Sequence, residues 1–344
     1  MRLIEKIWRS SDPVFKVARV ALTPFAETYR FITVARGWMY DHGVLRVKSS
    51  AITVVSVGNL SVGGTGKTPF AAWLAAELAN RGARPAVVLR GYGGDEPLVH
   101  AHLNPQIPVV IAKRRVAGIT EAVQLGATVA VLDDAFQHRE AERAVDIALL
   151  AAEQWDSKVR LIPAGPWREP LSSVRRAALV VITRKTAATE RVDDLRGVVL
   201  RTAPDVPVAV VHFEMGSLVR ATTTPSDEKL PLSVMRERSV IAVAGIGDSK
   251  AFFQQLRDTG ALVTPLDFPD HYRYTAADVS RILATGGAPD ALLVCTLKDA
   301  VKLVPLWPAA APPLWYVLQR LEIESGGDAL ENLLAQLTPK TAAE

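Results

Sequence analysis

The 344-residue sequence has one cysteine, Cys295, so a disulfide framework is impossible and a reducing compartment is the natural setting. It also lacks a long apolar run. In the N-terminal stretch the longest uncharged apolar segment is 20–26, far short of the ~20 residues a spanning helix needs. A secretory signal is excluded as well, because Glu5, Lys6, Arg9, Asp12, Lys16 and Arg19 interrupt any hydrophobic centre. There is no internal repeat or low-complexity tract, and 49% hydrophobic residues with a net charge of only +4 exclude disorder. Even that small excess is local. Residues 1–48 carry nine basic and four acidic side chains, a net +5, which leaves −1 for the other 296. The pI of about 9.2 therefore describes a leader, and a nucleic-acid channel through the body is not expected.

What the leader has in plenty is apolar and aromatic side chains mixed with Arg and Lys. That mixture suits helices lying in a bilayer interface, with cations toward anionic headgroups. It equally suits an amphipathic helix pair packed on the protein's own core, and Pro13 and Pro24 are expected to start or break helices. From residue 51 the pattern changes. Strands are predicted at 51–57, 85–89, 128–132, 146–150 and 178–182, with helices at 69–81 and 115–125. Residues 186–201 read as a connecting stretch. A second series follows, with strands at 208–213, 240–244, 261–266, 291–296 and 314–317 and helices at 250–258, 276–285 and 328–337. Residues 303–313, rich in proline, read as a surface loop. The alternation predicts an α/β fold with a parallel sheet covered by helices on both faces, then a smaller α/β domain.

The strongest local signal is Ser61-Val62-Gly63-Gly64-Thr65-Gly66-Lys67-Thr68, directly after a strand and directly before a helix, which is the context a P-loop requires. The amides of Gly63, Gly64, Thr65 and Gly66 are expected to curl around phosphate oxygens at a helix N-terminus. Lys67 reaches the β- and γ-phosphates in such a loop, and the Thr68 hydroxyl binds Mg²⁺. Ser61 stands where the general pattern has its first glycine. The partner signal is an apolar strand ending in Asp133-Asp134, with Asp133 placed 66 residues after Lys67. Beside a P-loop such a strand end holds Mg²⁺, often through water. Together these imply nucleotide and magnesium, and leave the phosphate acceptor open.

Several further stretches carry a resemblance. They are Gly58-Asn59-Leu60 running into the P-loop and Pro69, Arg90-Gly91-Tyr92-Gly93-Gly94 with Asp95-Glu96-Pro97, and Asp133 through Arg139. The others are Pro163 through Leu171, Ala244-Gly245-Ile246-Gly247, Phe268-Pro269-Asp270-His271 and Lys298-Asp299-Ala300. In order and wording the chain resembles the tetraacyldisaccharide 4'-kinase family, the lipid A 4'-kinases of Gram-negative bacteria, from the leader to about residue 305. Ser61 resembles that family's own form of the loop. The resemblance implies an ATP- and Mg²⁺-dependent kinase at the cytoplasmic face of the inner membrane. Its acceptor would be the 4'-hydroxyl of a tetraacylated glucosamine disaccharide 1-phosphate, a lipid A precursor. It also implies two α/β domains around a cleft and a helical leader on the membrane. The chain is then expected to divide into 1–48, membrane-associated helices; 49–200, a P-loop NTPase-type kinase core; and 201–344, a smaller α/β domain closing over the cleft. An anionic membrane surface is the expected partner, with no nucleic acid and no obligatory protein partner. Two departures stand out. The Gly-Tyr-Gly-Gly and Gly-Asp-Glu-Pro motifs, separated in most members, share Gly94 here, and Ala135 replaces the glycine usual after the two aspartates.

By this resemblance Asp95 is the catalytic base, while from the residues alone it reads as a helix N-cap. His271 would orient or tune that aspartate, with Asp270 orienting the ring; by itself it reads as a turn residue. Arg90, Arg114, Arg115, Arg139 and Arg168 are candidates for the substrate's 1-phosphate or the ATP phosphates. Lys298 and Asp299 are candidates for closing the second domain onto nucleotide. His100 and His102 would point the same way on a strand, but no third metal ligand accompanies them. Cys295 reads as a small core residue. Apart from the resemblance, a P-loop switch ATPase or GTPase, or a non-catalytic nucleotide-binding protein at a membrane, stays open. Neither needs Asp95 or His271.

Overall fold

The computed structural model describes residues 4, 7–8, 10–91, 94–285 and 290–338. Arg2, Leu3, Glu5, Lys6 and Arg9 of the leader, and Tyr92 and Gly93 of the second motif, lie outside the described residues. The chain forms two compact units that are not consecutive. One comprises Met1–Arg90, Ile107–Val211 and Ile323–Glu344, and the other Gly91–Gln106 and His212–Glu322. The sequence was read as three consecutive segments, 1–48, 49–200 and 201–344. In the molecule, residues 91–106 join the second unit and the last residues return to the first.

The first unit is built on β1 (Thr53–Asn59), β2 (Pro85–Leu89), β3 (Val109–Ile111), β4 (Val129–Asp133), β5 (Val145–Ala151) and β6 (Leu179–Arg184). Their order is β6-β5-β1-β4-β2-β3, and every neighbouring pair is parallel. Parallel strands need both faces covered, so they read as unbroken apolar runs; all five residues of β2 and all five of β4 are buried. Helix Lys67–Asn80 covers one face through Phe70, Leu74 and Leu78, at helical spacing. Helix Thr189–Thr202 replaces the connecting stretch expected at 186–201. Its apolar residues Val192, Leu195 and Val199 are buried in a cluster with Val180 and Ile182 of β6. Glu190, Arg191, Asp193, Asp194 and Arg196 dilute that stripe in the sequence, which is why composition hid it.

The leader also departs from expectation. Pro13 opens a helix whose N-cap Asp12 accepts from the Val14 amide at 2.8 Å, but the helix runs unbroken through Pro24 to Asp41. Its Thr28 hydroxyl donates to the Pro24 carbonyl at 3.0 Å. Ala26 is its one buried residue, whereas Val14, Val17, Val20 and Phe31 are each at least 70% exposed.

The second unit contains β7 (Val208–Arg220, which starts in the first unit), β8 (Lys229–Leu230), β9 (Ser239–Ala244), β10 (Leu262–Asp267), β11 (Leu292–Thr296) and β12 (Leu314–Ser325, which ends in the first unit). Its order is β10-β9-β11-β12-β7, with β10, β9, β11 and β12 parallel in succession and β8 antiparallel to β7. Two short helices here had no predicted range: Glu96–Leu103, which starts where the N-cap reading of Asp95 put it, and Leu297–Leu303. The first places His100 and His102 on a helix, correcting the strand considered for them. His100 is buried, and His102 Nε2 lies 3.1 Å from the Tyr316 hydroxyl. Cys295 is fully buried on β11, as expected.

Candidate active site

In the first unit, β1 ends in a loop whose every shoulder is tied down. The Asn59 side-chain amide donates to the Ser61 carbonyl, and Gln137 Nε2 donates to the Asn59 carbonyl at 2.8 Å. The Val62 amide donates to Pro166 O at 2.7 Å and the Arg168 amide to Leu60 O at 2.6 Å. The Pro163–Leu171 motif thus forms the wall that holds the loop's first half. The Ser61 hydroxyl sits 3.1 Å from Gln154 Oε1, a contact that a glycine could not make. Gly63, at φ 124°, holds a backbone conformation that side chains with a Cβ rarely adopt, and a Cβ there would also have to displace the Gln154 side-chain amide. The Thr65 carbonyl accepts from the Thr183 hydroxyl of β6 at 3.0 Å, and Gly66, left-handed at φ 77°, turns the chain into the helix that Lys67 and Thr68 open.

The strand register brings the carboxylates to this loop. Val57 of β1 pairs with Asp133 of β4, so β4 ends where the P-loop begins. Gly58 is required there, since a Cβ would come within 2.5 Å of the Phe136 amide nitrogen. Asp134, in the left-handed region at φ 52°, lies 3.6 Å from Lys67 Nζ and accepts from Arg168 at 3.0 Å. Burial raises its pKa, but the Lys67 and Arg168 charges outweigh it and hold it below the ordinary value. Asp133 is buried, and its carbonyl accepts from the buried Arg115 guanidinium at 2.9 Å. Thr68, Asp133 and Asp134 supply a hydroxyl and two carboxylates, a hard-oxygen set of the kind Mg²⁺ takes together with phosphate and water. Among the described residues no group of three or more His, Cys, Asp or Glu side chains is arranged to hold a metal without such help.

The arginine candidates separate. Arg168 faces the loop through Asp134, and Arg115 holds backbone beneath it. Arg114 pairs with Glu140 at 2.6 Å on an exposed surface. Arg139 is spent on the leader. It donates to Gly37 O at 3.0 Å, pairs with Asp41 at 2.5 Å and stacks over Tyr40, contacts that commit its guanidinium to the leader helix. Arg90 ends the first unit with an exposed side chain.

In the second unit, Asp95 and His271, 176 residues apart, are brought together: His271 Nδ1 lies 3.0 Å from Asp95 Oδ1. The N-cap reading of Asp95 holds, since it opens helix Glu96–Leu103 and accepts from the Glu96 amide at 3.1 Å through the same oxygen, and it leaves Oδ2 outside the cap. The imidazole is set by backbone: His271 has φ 57°, and its amide donates to Gly245 O at 3.2 Å. Asp270 Oδ2 lies 3.8 Å from Nε2. Asp95 is buried; burial pushes its carboxyl up, but the His271 hydrogen bond and the charges of Lys298, His271 and Lys302 hold it down at about 2. The Asp95 hydrogen bond raises the His271 pKa against burial and the Lys298 charge.

Lys298 and Asp299, the candidates for closing onto nucleotide, have partners within the second unit. Lys298 Nζ stands 3.4 Å from His271 Nε2 and 3.7 Å from Asp95 Oδ2, and Asp299 is fully buried inside the second unit. Lys302, one turn further, was not singled out in the sequence, although its spacing from Lys298 and Asp299 puts all three on neighbouring helix positions.

A strand, a glycine-rich loop closing on Lys-Thr and a carboxylate-ended neighbouring strand define a P-loop NTPase-type nucleotide-binding protein. The family model for tetraacyldisaccharide-1-P 4'-kinase (LpxK) matches residues 18–94 and 93–338, two segments that meet where the motifs share Gly94. The tetraacyldisaccharide 4'-kinase of Anaeromyxobacter dehalogenans (strain 2CP-C) is 36% identical over 361 residues, covering 96% of this chain and 94% of the relative. That of Geobacter metallireducens is 35% identical over 322 residues, covering 85% and 90%. The crystal structure of LpxK from Aquifex aeolicus in complex with ATP is similar with a TM-score of 0.74 at 30% identity, covering 94% of this chain and all of that one. The chain belongs to the tetraacyldisaccharide-1-phosphate 4'-kinase family and is a kinase.

Proposed function

We propose that the protein transfers the γ-phosphate of ATP to the 4'-hydroxyl of a tetraacylated glucosamine disaccharide 1-phosphate, a step of lipid A synthesis, at the cytoplasmic face of a bacterial inner membrane. The amides of Gly63, Gly64, Thr65 and Gly66 cradle the phosphates, and Lys67 neutralises the β- and γ-oxygens. Thr68, Asp133 and Asp134 are the residues that would hold Mg²⁺, which when bound would neutralise charge on the phosphates. Lys67 and Arg168, now turned to Asp134, are the cations that exchange that carboxylate for phosphate oxygens.

Asp95 accepts the proton of the 4'-hydroxyl and His271 fixes its rotamer. A carboxyl held at about 2 is a weak base, but it is ionised at every working pH. Phosphoryl transfer through a loose transition state needs the hydroxyl aligned more than it needs it deprotonated early. The observation that carries this reading is the pairing of buried Asp95 with His271, two residues that a P-loop switch has no need to join.

The leader supports membrane association. No helix among the described residues is long and apolar enough to cross a membrane. Helix Pro13–Asp41 instead exposes Val14, Val17, Val20, Phe25, Phe31 and Trp38 along its length, with Lys16, Arg19 and Arg30 among them. The test is phosphate transfer from ATP to the lipid A disaccharide precursor in detergent. Asp95→Asn should lower kcat by about 10²–10⁴-fold while ATP binding persists, the usual range for losing a general base. Unchanged turnover in that variant removes Asp95 from the chemistry.

A further inference from the structure

Asp95 divides its two oxygens. Oδ1 takes the His271 imidazole and the Glu96 amide. Oδ2 has no aligned hydrogen bond among the described residues and faces two ammonium groups, Lys298 at 3.7 Å and Lys302 at 3.6 Å. These two lysines differ. The Lys298 side chain is 23% exposed and also approaches His271, whereas Lys302 is 13% exposed and its ammonium is fully enclosed.

Lys302 has a second carboxylate, Asp299 Oδ1 at 3.3 Å, and its ammonium stands 5.3 Å from the Tyr274 ring centroid. Asp299 does not need the lysine. It already accepts from the Gly245 amide at 3.0 Å, the Thr296 hydroxyl at 2.7 Å and the Tyr274 hydroxyl at 2.9 Å. A buried amine is costly to keep charged, and a carboxylate with three donors gives no reason to keep one beside it. Asp95 Oδ2 does. Asp299, pinned by β9, β11 and Tyr274, serves as the fixed anchor that sets where the Lys302 charge stands.

The geometry points to Lys302 as a positioning residue of the phosphoryl transfer: anchored by Asp299, it holds the Asp95 carboxylate in the rotamer that leaves Oδ2 for the acceptor hydroxyl. This rests on the reading of Asp95 as the base. Lys302 touches neither ATP nor acceptor. It works from behind, while Lys298 covers Oδ2 from the more exposed side and is the lysine that yields when the hydroxyl arrives. The ion-pair partners around Asp95 thereby have a place: His271 and Asp270 on one oxygen's side, and Lys298, Lys302 and Asp299 on the other.

The test is steady-state kinetics of the full-length enzyme with ATP and the tetraacyl disaccharide 1-phosphate, for Lys302→Met, Lys302→Arg, Asp95→Asn and the double variant Lys302→Met/Asp95→Asn. A misaligned base costs about 10- to 100-fold. Lys302→Met should therefore lose that much in kcat with both KM values little changed, and Lys302→Arg should recover most of it. In the double variant the lysine change should cost nothing beyond Asp95→Asn alone, because the residue it positions is gone. Full kcat in Lys302→Met, a loss carried in KM, or losses that multiply in the double variant each overturn the proposal. An active Asp95→Asn fails the base reading instead, whatever Lys302→Met does. Should Lys302→Met not accumulate as folded protein, Asp299→Asn removes the anchor charge while the lysine stays. It must then show the same loss in kcat without change in KM, and an unchanged kcat overturns the proposal equally.

Discussion

At the scale of single residues, the site works through groups that do two things at once. Asp95 caps a helix and is the proposed base; Ser61 bridges to Trp167 and reaches Gln154; Asp134 sits in a left-handed turn between two cations. His271 is the residue whose state follows pH. The Asp95 hydrogen bond favours the protonated ring, so its pKa in the folded protein lies above the ordinary 6.5. A group raised in this way stabilises the fold fully below its unfolded value, and that contribution is lost as pH rises through the raised one. Thermal unfolding of wild type and His271→Gln at pH 6 and pH 9 checks the sign: the gap in Tm should be wider at pH 6. An equal gap at both values would mean that the ion pair adds nothing to stability.

At the scale of elements, the leader helix makes the clearest physical demand. Its C-terminal half is fastened to the Asp133–Arg139 segment: Arg36 donates to Gln137 O at 3.1 Å and Arg139 grips Gly37 and Asp41. Its apolar side faces outward. Burying one large apolar side chain is worth about 1.5–3 kcal/mol. Val17→Glu with Phe31→Glu should therefore weaken binding to vesicles containing anionic lipid by about tenfold or more. Co-sedimentation equal to wild type would place the membrane contact elsewhere.

The same scale shows what was legible in the sequence. Glycine-rich turns and unbroken apolar strands were readable because each follows from local chemistry, and so β2 and helix Ala276–Thr285 fall where the pattern puts them. Helix Glu96–Leu103 was not, because eight residues with two histidines and a proline carry too short a period to register. Its N-cap meaning was visible; its partner His271, 176 residues away, was reachable only through the family's motifs. Lys302 carried only its spacing from Lys298 and Asp299, because a lysine in a short helix looks like any solvated one until burial and two carboxylates surround it.

At the scale of the whole molecule, the chain leaves the nucleotide-binding unit and returns to it twice. The last return carries helix Gly327–Leu337, which buries Leu330, Leu333, Leu334 and Leu337 and ties to the end of helix Lys67–Asn80 through Arg81 and Glu331 at 2.8 Å. Truncating one buried leucine costs about 2–5 kcal/mol, so losing four rivals the about 5–15 kcal/mol by which a native domain is stable. A chain ending at residue 322 keeps every proposed site residue, yet it should fail to bind ATP in an equilibrium assay and should melt without a cooperative transition. Retained binding would show that the returning helix is dispensable.

That return also sets the order of events at the ribosome. Domains commonly fold as they emerge, N-terminal first. Here the phosphate loop, made early, has to wait through the synthesis of more than 250 further residues before the helix that closes its unit exists. Until then helix Lys67–Asn80 lacks the partner helix to which Arg81, at its end, is tied through Glu331. A nascent chain is therefore exposed to holding factors or to misassembly until helix Gly327–Leu337 has emerged.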